Sequence, residues 1–310
     1  MQLILDPPTL DRVRPSTVTI GVFDGVHLGH RHLISHAVRR AQLQGIRSVA
    51  ITFDPHPRAV LAKGEPVQYL TDLAERSRLI REVGIDVVAT LKFTPVVAGL
   101  TAEAFMEEVK ARLGLIELWV GPDFALGRAR HGTVPVLRAI GAQMGFTVNT
   151  VEPLVLEGVV VSSSTIRKML SQGDVEAAAR LLGRPYALEG VVRHGDHRGR
   201  LLGFPTANLD LDPSRVTPED GVYVAVARLP NGTLPAVANI GVRPSFGPGN
   251  RGLEVHVLDF SGDLYGQHIR VEFLHRLRPE VRFASVVDLQ AQIRRDAEAA
   301  REYVRGLRSI

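Results

Sequence analysis

The sequence predicts an α/β protein of two domains: a parallel sheet covered by helices on both faces, then a compact antiparallel β-barrel closed by a terminal helix. Three observations predict it. The 310 residues are about twice a usual domain. From Thr17 to about Glu152, short β-rich runs alternate with segments of helical spacing, the pattern of parallel strands joined by crossover helices. Beyond Pro185 the character changes to strand-like runs separated by turn signals, as in a small barrel.

In order, TVTIGVF (17–23), RSVAITF (47–53), DVVATLKF (86–93), IELWVG (116–121) and FTVNTV (146–151) read as the first set of strands. After TVTIGVF a helix begins near His30, with Leu33, Ala37 and Ala41 on one face. The clearest helix is TAEAFMEEVKARLG, where Phe105, Val109 and Leu113 stand four apart and Thr101 is placed to cap. SSTIRKMLSQG and DVEAAARLLG read as two short helices, and Gly183-Arg184-Pro185 breaks the pattern. The expected domains are therefore 1–183 and 184–310. In the second, YALEGVV (186–192), GVYVAVARL (221–229), LPAVANIGV (234–242), LEVHVLDF (253–260) and HIRVEFLHRL (268–277) read as strands. Asn231-Gly232 and Ser261-Gly262-Asp263 mark turns, and an amphipathic helix spans roughly Val286 to Leu307.

Composition excludes several classes. There is no cysteine, which removes disulfides, thiolate zinc sites and cysteine nucleophiles and makes a cytoplasmic location the expectation. The N-terminal MQLILDPPTLDR is a short apolar run broken by Asp6 and two prolines, without the basic region of a signal peptide. No stretch approaches the ~18 apolar residues of a membrane span, so no membrane partner is expected. The net charge is +4, carried by dispersed arginines with only four lysines. Without a basic block a nucleic-acid groove is not indicated, whereas scattered guanidinium forks suit small-molecule phosphates. The sequence is compatible with an oligomer and specifies none.

GVFDGVHLGH (21–30) is the first candidate site. In an open parallel sheet, ligands bind beyond the carboxyl ends of the strands, where helix N-termini offer free N–H groups to anions. Gly21 and Gly25 allow close backbone approach, and His27 and His30 stand one helical turn apart. The same residues would also serve as a capped strand-to-helix turn. VGPDFALGRARHG (120–132) follows another strand, and SSSTIRK (162–168) opens a helix with hydroxyls and cations. That set suits a leaving pyrophosphate and equally makes a good helix cap.

RHGDHRGRLLGFPTANL (193–209) is the second candidate. Gly195, Gly199 and Gly203 flank a basic turn with Arg198 and Arg200, so the backbone can wrap a polyphosphate; a plain β-turn would have the same composition. Thr206 offers a hydroxyl to Mg²⁺. Glu254, between Leu253 and Val255, points to the opposite strand face from both, as either a solvent-facing carboxylate or a base.

Taken together, TIGVFDGVHLGHRHLI, TFDPHPRAVL, VGPDFALG and SSSTIRKML, followed by GFPTAN, the GVY strand and NIGVRPSFG, stand in an order that resembles the bacterial bifunctional riboflavin kinase/FAD synthetases. The resemblance runs from about Val18 to Ile293. It implies a Rossmann-like HxGH nucleotidyltransferase domain, which adenylylates FMN, and a β-barrel riboflavin kinase domain, with riboflavin, FMN, FAD and ATP as small-molecule partners. It further implies ATP on Gly21–His30, through Gly21, Phe23, Asp24, His27 and His30, with Asp123 near the nucleotide. Thr165 and Arg167 would hold the pyrophosphate, Ser164 would bind the nucleotide, and Asp54, His56 and Pro57 would line the flavin. In the barrel it implies Gly195, Arg200 and Gly203 around ATP, Thr206 and Asn208 on Mg²⁺-ATP, and Glu254 as the base for riboflavin's 5′-hydroxyl. Two departures stand out. Ala125 and Leu126 occupy places where the family carries Arg-Phe, and Ser245 replaces a threonine. The rival readings are another HxGH adenylyltransferase with an unrelated appendage, which PTAN and Glu254 oppose, and a non-enzymatic flavin sensor, which intact Thr206, Asn208 and Glu254 oppose.

Overall fold

A computed structural model of the chain describes residues 1–6, 13–61, 66–195, 199, 202–242 and 251–307. Arg198, Arg200 and Ser245 lie outside the described residues. The chain forms two compact units, Met1–Ser163 and Ser164–Ile310.

The first unit is built on β1 (Leu3–Asp6), β2 (Ser16–Ile20), β3 (Arg47–Asp54), β4 (Val87–Lys92), β5 (Leu115–Val120), the short pair β6 (Ala125–Leu126) and β7 (Gly132–Thr133), and β8 (Thr147–Thr150). The main sheet has the order β1-β4-β3-β2-β5-β8. Its strands from β4 to β8 are parallel. One edge adds to the parallel sheet that the strand–helix alternation predicts: β1 pairs antiparallel with β4. A four-residue run next to two prolines carries too little pattern to announce a strand; pairing with an existing sheet edge makes it one.

Helices α1 (Leu28–Gln44), α2 (Pro57–Leu61), α3 (Leu73–Glu82), α4 (Pro95–Ala98), α5 (Ala102–Leu113) and α6 (Val134–Met144) connect the strands. Strand residues alternate between two cores. Val49 and Ile51 join Phe105, Val109, Leu113 and Leu137 on one face, while Ala50 joins Ile34, Val38, Leu79 and Ile80 on the other. α1 and α3 thus cover one face, and α5 and α6 the other. Thr101 caps α5 by accepting from Ala104 N at 3.2 Å, as its position ahead of the apolar stripe predicts. A hairpin, β9 (Val155–Leu156) and β10 (Val159–Val160), completes this unit.

The second unit opens with α7, which begins at the last residue of the first unit (Ser163–Ser171), and α8 (Val175–Leu182). Six strands follow: β11 (Tyr186–Arg193), β12 (Ala207–Asp210), β13 (Gly221–Leu229), β14 (Gly232–Val242), β15 (Arg251–Val257) and β16 (His268–Arg278). They close a barrel in the order β11-β12-β15-β14-β13-β16. The run GVYVAVARL is apolar on both parities for a physical reason. Tyr223, Ala225 and Ala227 are buried with the barrel interior, while Val222 and Val224 pack outside against Ala297, Ala300 and Val304 of the terminal helix Val286–Leu307. Arg278 clamps that helix with a forked pair onto Asp296, Nη2 to Oδ2 at 2.8 Å. The helices α7 and α8 are bonded to the barrel: Glu219 N donates to Leu170 O at 3.0 Å, and His275 Nδ1 meets Glu176 Oε2 at 2.8 Å.

Candidate active sites

In the first unit the strand order reverses at β2. From it the chain winds one way to β3 and β4, and the other way to β5 and β8. A crevice at the carboxyl ends of strands at such a switch is where open α/β sheets bind ligands. The loop after β2 carries Gly21 to His27, and the loop after β5 carries Asp123, which is exposed. The neighbouring β3 ends at Asp54, and His56 and Pro57 lead into α2; Asp54 is exposed, and His56 N donates to Tyr69 Oη at 3.2 Å.

The turn after β2 is strained. Phe23 and Val26 adopt φ of 52° and 38°, a region costly to non-glycine residues and most of all to a β-branched one. Packing holds them there: Phe23 is 1% and Val26 0% exposed, inside the core under α1. The Phe23 ring folds back onto Gly21, where a Cβ would stand 2.8 Å from Cε1. Four side chains also bind the turn's backbone. Thr52 Oγ1 and Arg76 Nη1 donate to Val22 O at 2.8 and 3.2 Å. Thr71 Oγ1 accepts from Gly25 N at 3.0 Å, and Ser163 Oγ donates to Asp24 O at 2.9 Å. Asp24 is 2% exposed, and its carboxylate accepts from Leu70 N at 3.0 Å and Thr71 N at 3.1 Å. It holds the turn against the segment leading into α3.

His27 is the N-cap of α1, its Nδ1 accepting from His30 N at 3.2 Å. An accepting Nδ1 carries no proton, so the neutral ring's proton lies on Nε2. The two imidazoles stack at 3.6 Å between centroids, and Phe23 meets His30 edge-on at 5.3 Å. Gly29 makes room: a Cβ there would stand 3.0 Å from Val161 O and 3.2 Å from the His27 ring. The HxGH spacing therefore yields a pair of stacked rings at a helix start, where N–H groups and the helix dipole favour an anion. Leu126, one of the two departures from the family pattern, is buried in the core beneath α5 and α6.

Ser164, Thr165 and Arg167 lie in the first turns of α7, in the second unit; Ser164 is exposed, Thr165 and Arg167 half-buried.

In the barrel, the glycine turn lies on the PTAN residues. A Cβ on Gly195 would stand 2.4 Å from Asn208 Nδ2, and one on Gly199 3.1 Å from Thr206 Oγ1. Gly203 takes φ 82°, and Phe204 N donates to Gly199 O at 2.8 Å to close the turn. His256 Nδ1 donates to Pro205 O at 2.8 Å, tying the turn to β15. Thr206, Asn208 and Gly195 line a cavity of ≈ 520 Å³ whose other walls include Val192, Val257 and Tyr265. That size suits a small-molecule ligand. Glu254, half-buried on β15, pairs in register with Asn208 of β12 on one side and Asn239 of β14 on the other. Directly paired residues share a face, so the three form one polar row on the outside of the barrel, while Leu253 and Val255 are buried within it.

Sequence reading missed Arg76, Thr71 and Asn239. Arg76 lies in α3, and its 1% exposure is what identifies it. Asn239 lies in the quoted NIGVRPSFG run, but its pairing with Glu254 depends on a register no local pattern states.

Fold and candidate sites together have the form of a transferase acting on phosphate-bearing nucleotides, with one candidate site in the α/β sheet unit and one on the barrel. Comparison with known proteins narrows this. The FAD synthetase family model matches residues 10–165 and the Riboflavin kinase family model residues 182–304. Bifunctional riboflavin kinase/FMN adenylyltransferases are similar along nearly the full chain. The Escherichia coli (strain K12) protein is 40% identical over 92% of both chains. The Haemophilus influenzae relative is 37% identical over 98% of this chain and 99% of its own. A crystal structure described as a macrolide-efflux protein from Streptococcus pneumoniae shares the fold, with TM-score 0.87 and 32% identity over 94% of this chain and 95% of that one. Among the described residues no helix is long and apolar enough to cross a membrane. The chain belongs to the bifunctional riboflavin kinase/FMN adenylyltransferase family.

Proposed function

We propose that the two reactions of this family are divided between the domains 184–310 and 1–183, with riboflavin kinase on the barrel and FMN adenylyltransferase on the α/β domain. The observation that supports the division is that two turns suited to phosphate stand in different units, the strained HxGH turn in the first and the glycine turn over Thr206 and Asn208 in the second.

On the barrel, riboflavin's 5′-oxygen attacks the γ-phosphorus of ATP, the bond to ADP breaks, and Glu254 takes the hydroxyl proton. No covalent intermediate is needed, so positioning and charge neutralisation do the catalysis. Gly195 and Gly203 let the backbone close on the phosphates, with Arg200 as their cation. A divalent cation fits the donor set: Thr206 offers a hydroxyl oxygen and Asn208 an amide oxygen, two positions apart beneath glycines, and Mg²⁺ prefers hard oxygen ligands completed by phosphates. When bound, Mg²⁺ neutralises charge on the β- and γ-phosphate oxygens.

On the α/β domain, a phosphate oxygen of FMN attacks the α-phosphorus of a second ATP and pyrophosphate leaves. His27 and His30 bear on the phosphates, with Asp123 near the nucleotide. Thr165 and Arg167 hold the departing pyrophosphate, and Ser164 binds the nucleotide. The stretch Asp54-Pro55-His56-Pro57, exposed at Asp54 and Pro55 and half-buried at His56 and Pro57, borders the flavin. Asp24 acts by holding the turn, since its carboxylate is committed to the Leu70 and Thr71 amides.

The test is direct. Incubation of the pure protein with riboflavin, ATP and Mg²⁺, followed by chromatography, is expected to show FMN first and FAD after it. Absence of both products would overturn the proposal.

A further inference from the structure

The barrel row Asn208–Glu254–Asn239 has one member without an assigned role. Asn239 pairs directly with Glu254 across β14 and β15, the same relation that Asn208 has on the other side. Its side chain shares the outer face with Glu254, because Ala238 and Ile240 are both buried at 0% exposure. The amide has a defined orientation. Nδ2 donates to Glu280 Oε1 at 3.3 Å, and a flipped amide would set its oxygen against that carboxylate. Glu280 lies close over this strand, because Gly241 has no side chain to exclude it: a Cβ there would meet the carboxylate at 2.1 Å. The donor end of Asn239 is therefore committed. The acceptor end is not: Oδ1 is buried and has no hydrogen-bond partner among the described residues.

A buried amide oxygen without a donor costs about 1–3 kcal/mol. It persists where a ligand supplies the missing donor. The ligand next to Glu254 in the proposed reaction is a polyol chain, a row of O–H donors one carbon apart. Directly opposed residues have Cβ atoms about 5 Å apart, a span that adjacent hydroxyls of one chain can bridge. We infer that Asn239 is a substrate-binding residue of the kinase, its Oδ1 accepting a hydrogen bond from the ribityl 4′-hydroxyl while Glu254 takes the proton of the 5′-hydroxyl. This rests on the reading of Glu254 as the base. It makes Asn239 a specificity determinant for hydroxylated side chains, since a site built to bond a hydroxyl rejects the analogue that lacks it.

The experiment compares intact wild-type protein and Asn239→Ala in phosphorylation of riboflavin and of 4′-deoxyriboflavin at saturating ATP and Mg²⁺. Wild type is expected to favour riboflavin in kcat/KM by about 10- to 100-fold, the size of one buried hydrogen bond. Asn239→Ala is expected to erase that preference by losing activity on riboflavin while handling the deoxy compound much as wild type does. A variant that keeps the preference overturns the inference. So does a wild type indifferent to the 4′-hydroxyl, a result that needs no variant to fold. Glu254→Gln keeps the two ideas apart. If it phosphorylates riboflavin at the wild-type rate while wild type still discriminates between the flavins and Asn239→Ala does not, the base assignment fails and the Asn239 contact stands.

Discussion

Arg76 is a guanidinium at 1% exposure, where charged groups are rare. Nη1 and Nη2 donate to Val22 O and Phe53 O, each at 3.2 Å, so one side chain ties the residues after β2 to the end of β3. Burial pushes its pKa below the ordinary value, and the charges of Asp24 and Asp54 act in the opposite direction. Arg76→Met is expected to lower stability by about 1–3 kcal/mol for each carbonyl left unpaired, read by urea unfolding. It is also expected to slow FAD formation more than FMN formation. The proposed reacting side chains give a cleaner contrast. Glu254→Gln is expected to abolish FMN formation from riboflavin, by 10²-fold or more on the order typical of general bases, while FMN is still converted to FAD. His30→Ala is expected to do the reverse and accumulate FMN. Chromatography of both variants checks this, and equal loss of both steps in a folded variant would sink the division of labour.

Glycine and strain act at the level of the element. The turn after β2 keeps Phe23 and Val26 at positive φ only because their side chains fill the core under α1. Gly21→Ala puts a Cβ 2.8 Å from the buried Phe23 ring, a ring that cannot move without opening that core. The expected outcome is loss of FMN adenylylation with riboflavin phosphorylation retained. Gly195→Ala is its counterpart in the barrel. Its Cβ would stand 2.4 Å from Asn208 Nδ2 and push the amide off its place beside Thr206. Riboflavin phosphorylation is expected to fall, with an increased Mg²⁺ requirement, while conversion of added FMN to FAD is unchanged. Titrating Mg²⁺ in each assay separates the two effects.

Over the whole molecule, each compact unit has its own core and its own candidate ATP site, so the two activities are expected to complement in trans. A mixture of Glu254→Gln and His30→Ala proteins should convert riboflavin to FAD after a lag that shortens as enzyme concentration rises; no FAD from the mixture would show that one chain must perform both steps. Much of this was legible in the residues. Strand–helix alternation, the apolar stripe of α5 with its Thr101 cap, and the HxGH and PTAN runs are local patterns, and local patterns are what a sequence states directly. The strand β1 was not legible, because Leu3–Asp6 becomes a strand only by pairing with β4. The same holds at the sites. His27 and His30 announce themselves by spacing, but Arg76 looks like any helical surface arginine until α3 packs it beneath the turn. The bonds from the amides of Leu70 and Thr71 to the Asp24 carboxylate are likewise set by packing and not by any local pattern. The sequence by itself determined the order of the FAD synthetase and riboflavin kinase regions and the motifs offered as candidate phosphate sites. Only the tertiary structure decided which polar groups hold the backbone of the turn after β2, and that Asn239 stands beside Glu254. Register and burial are long-range properties, set by strands that are distant in the chain and adjacent in space.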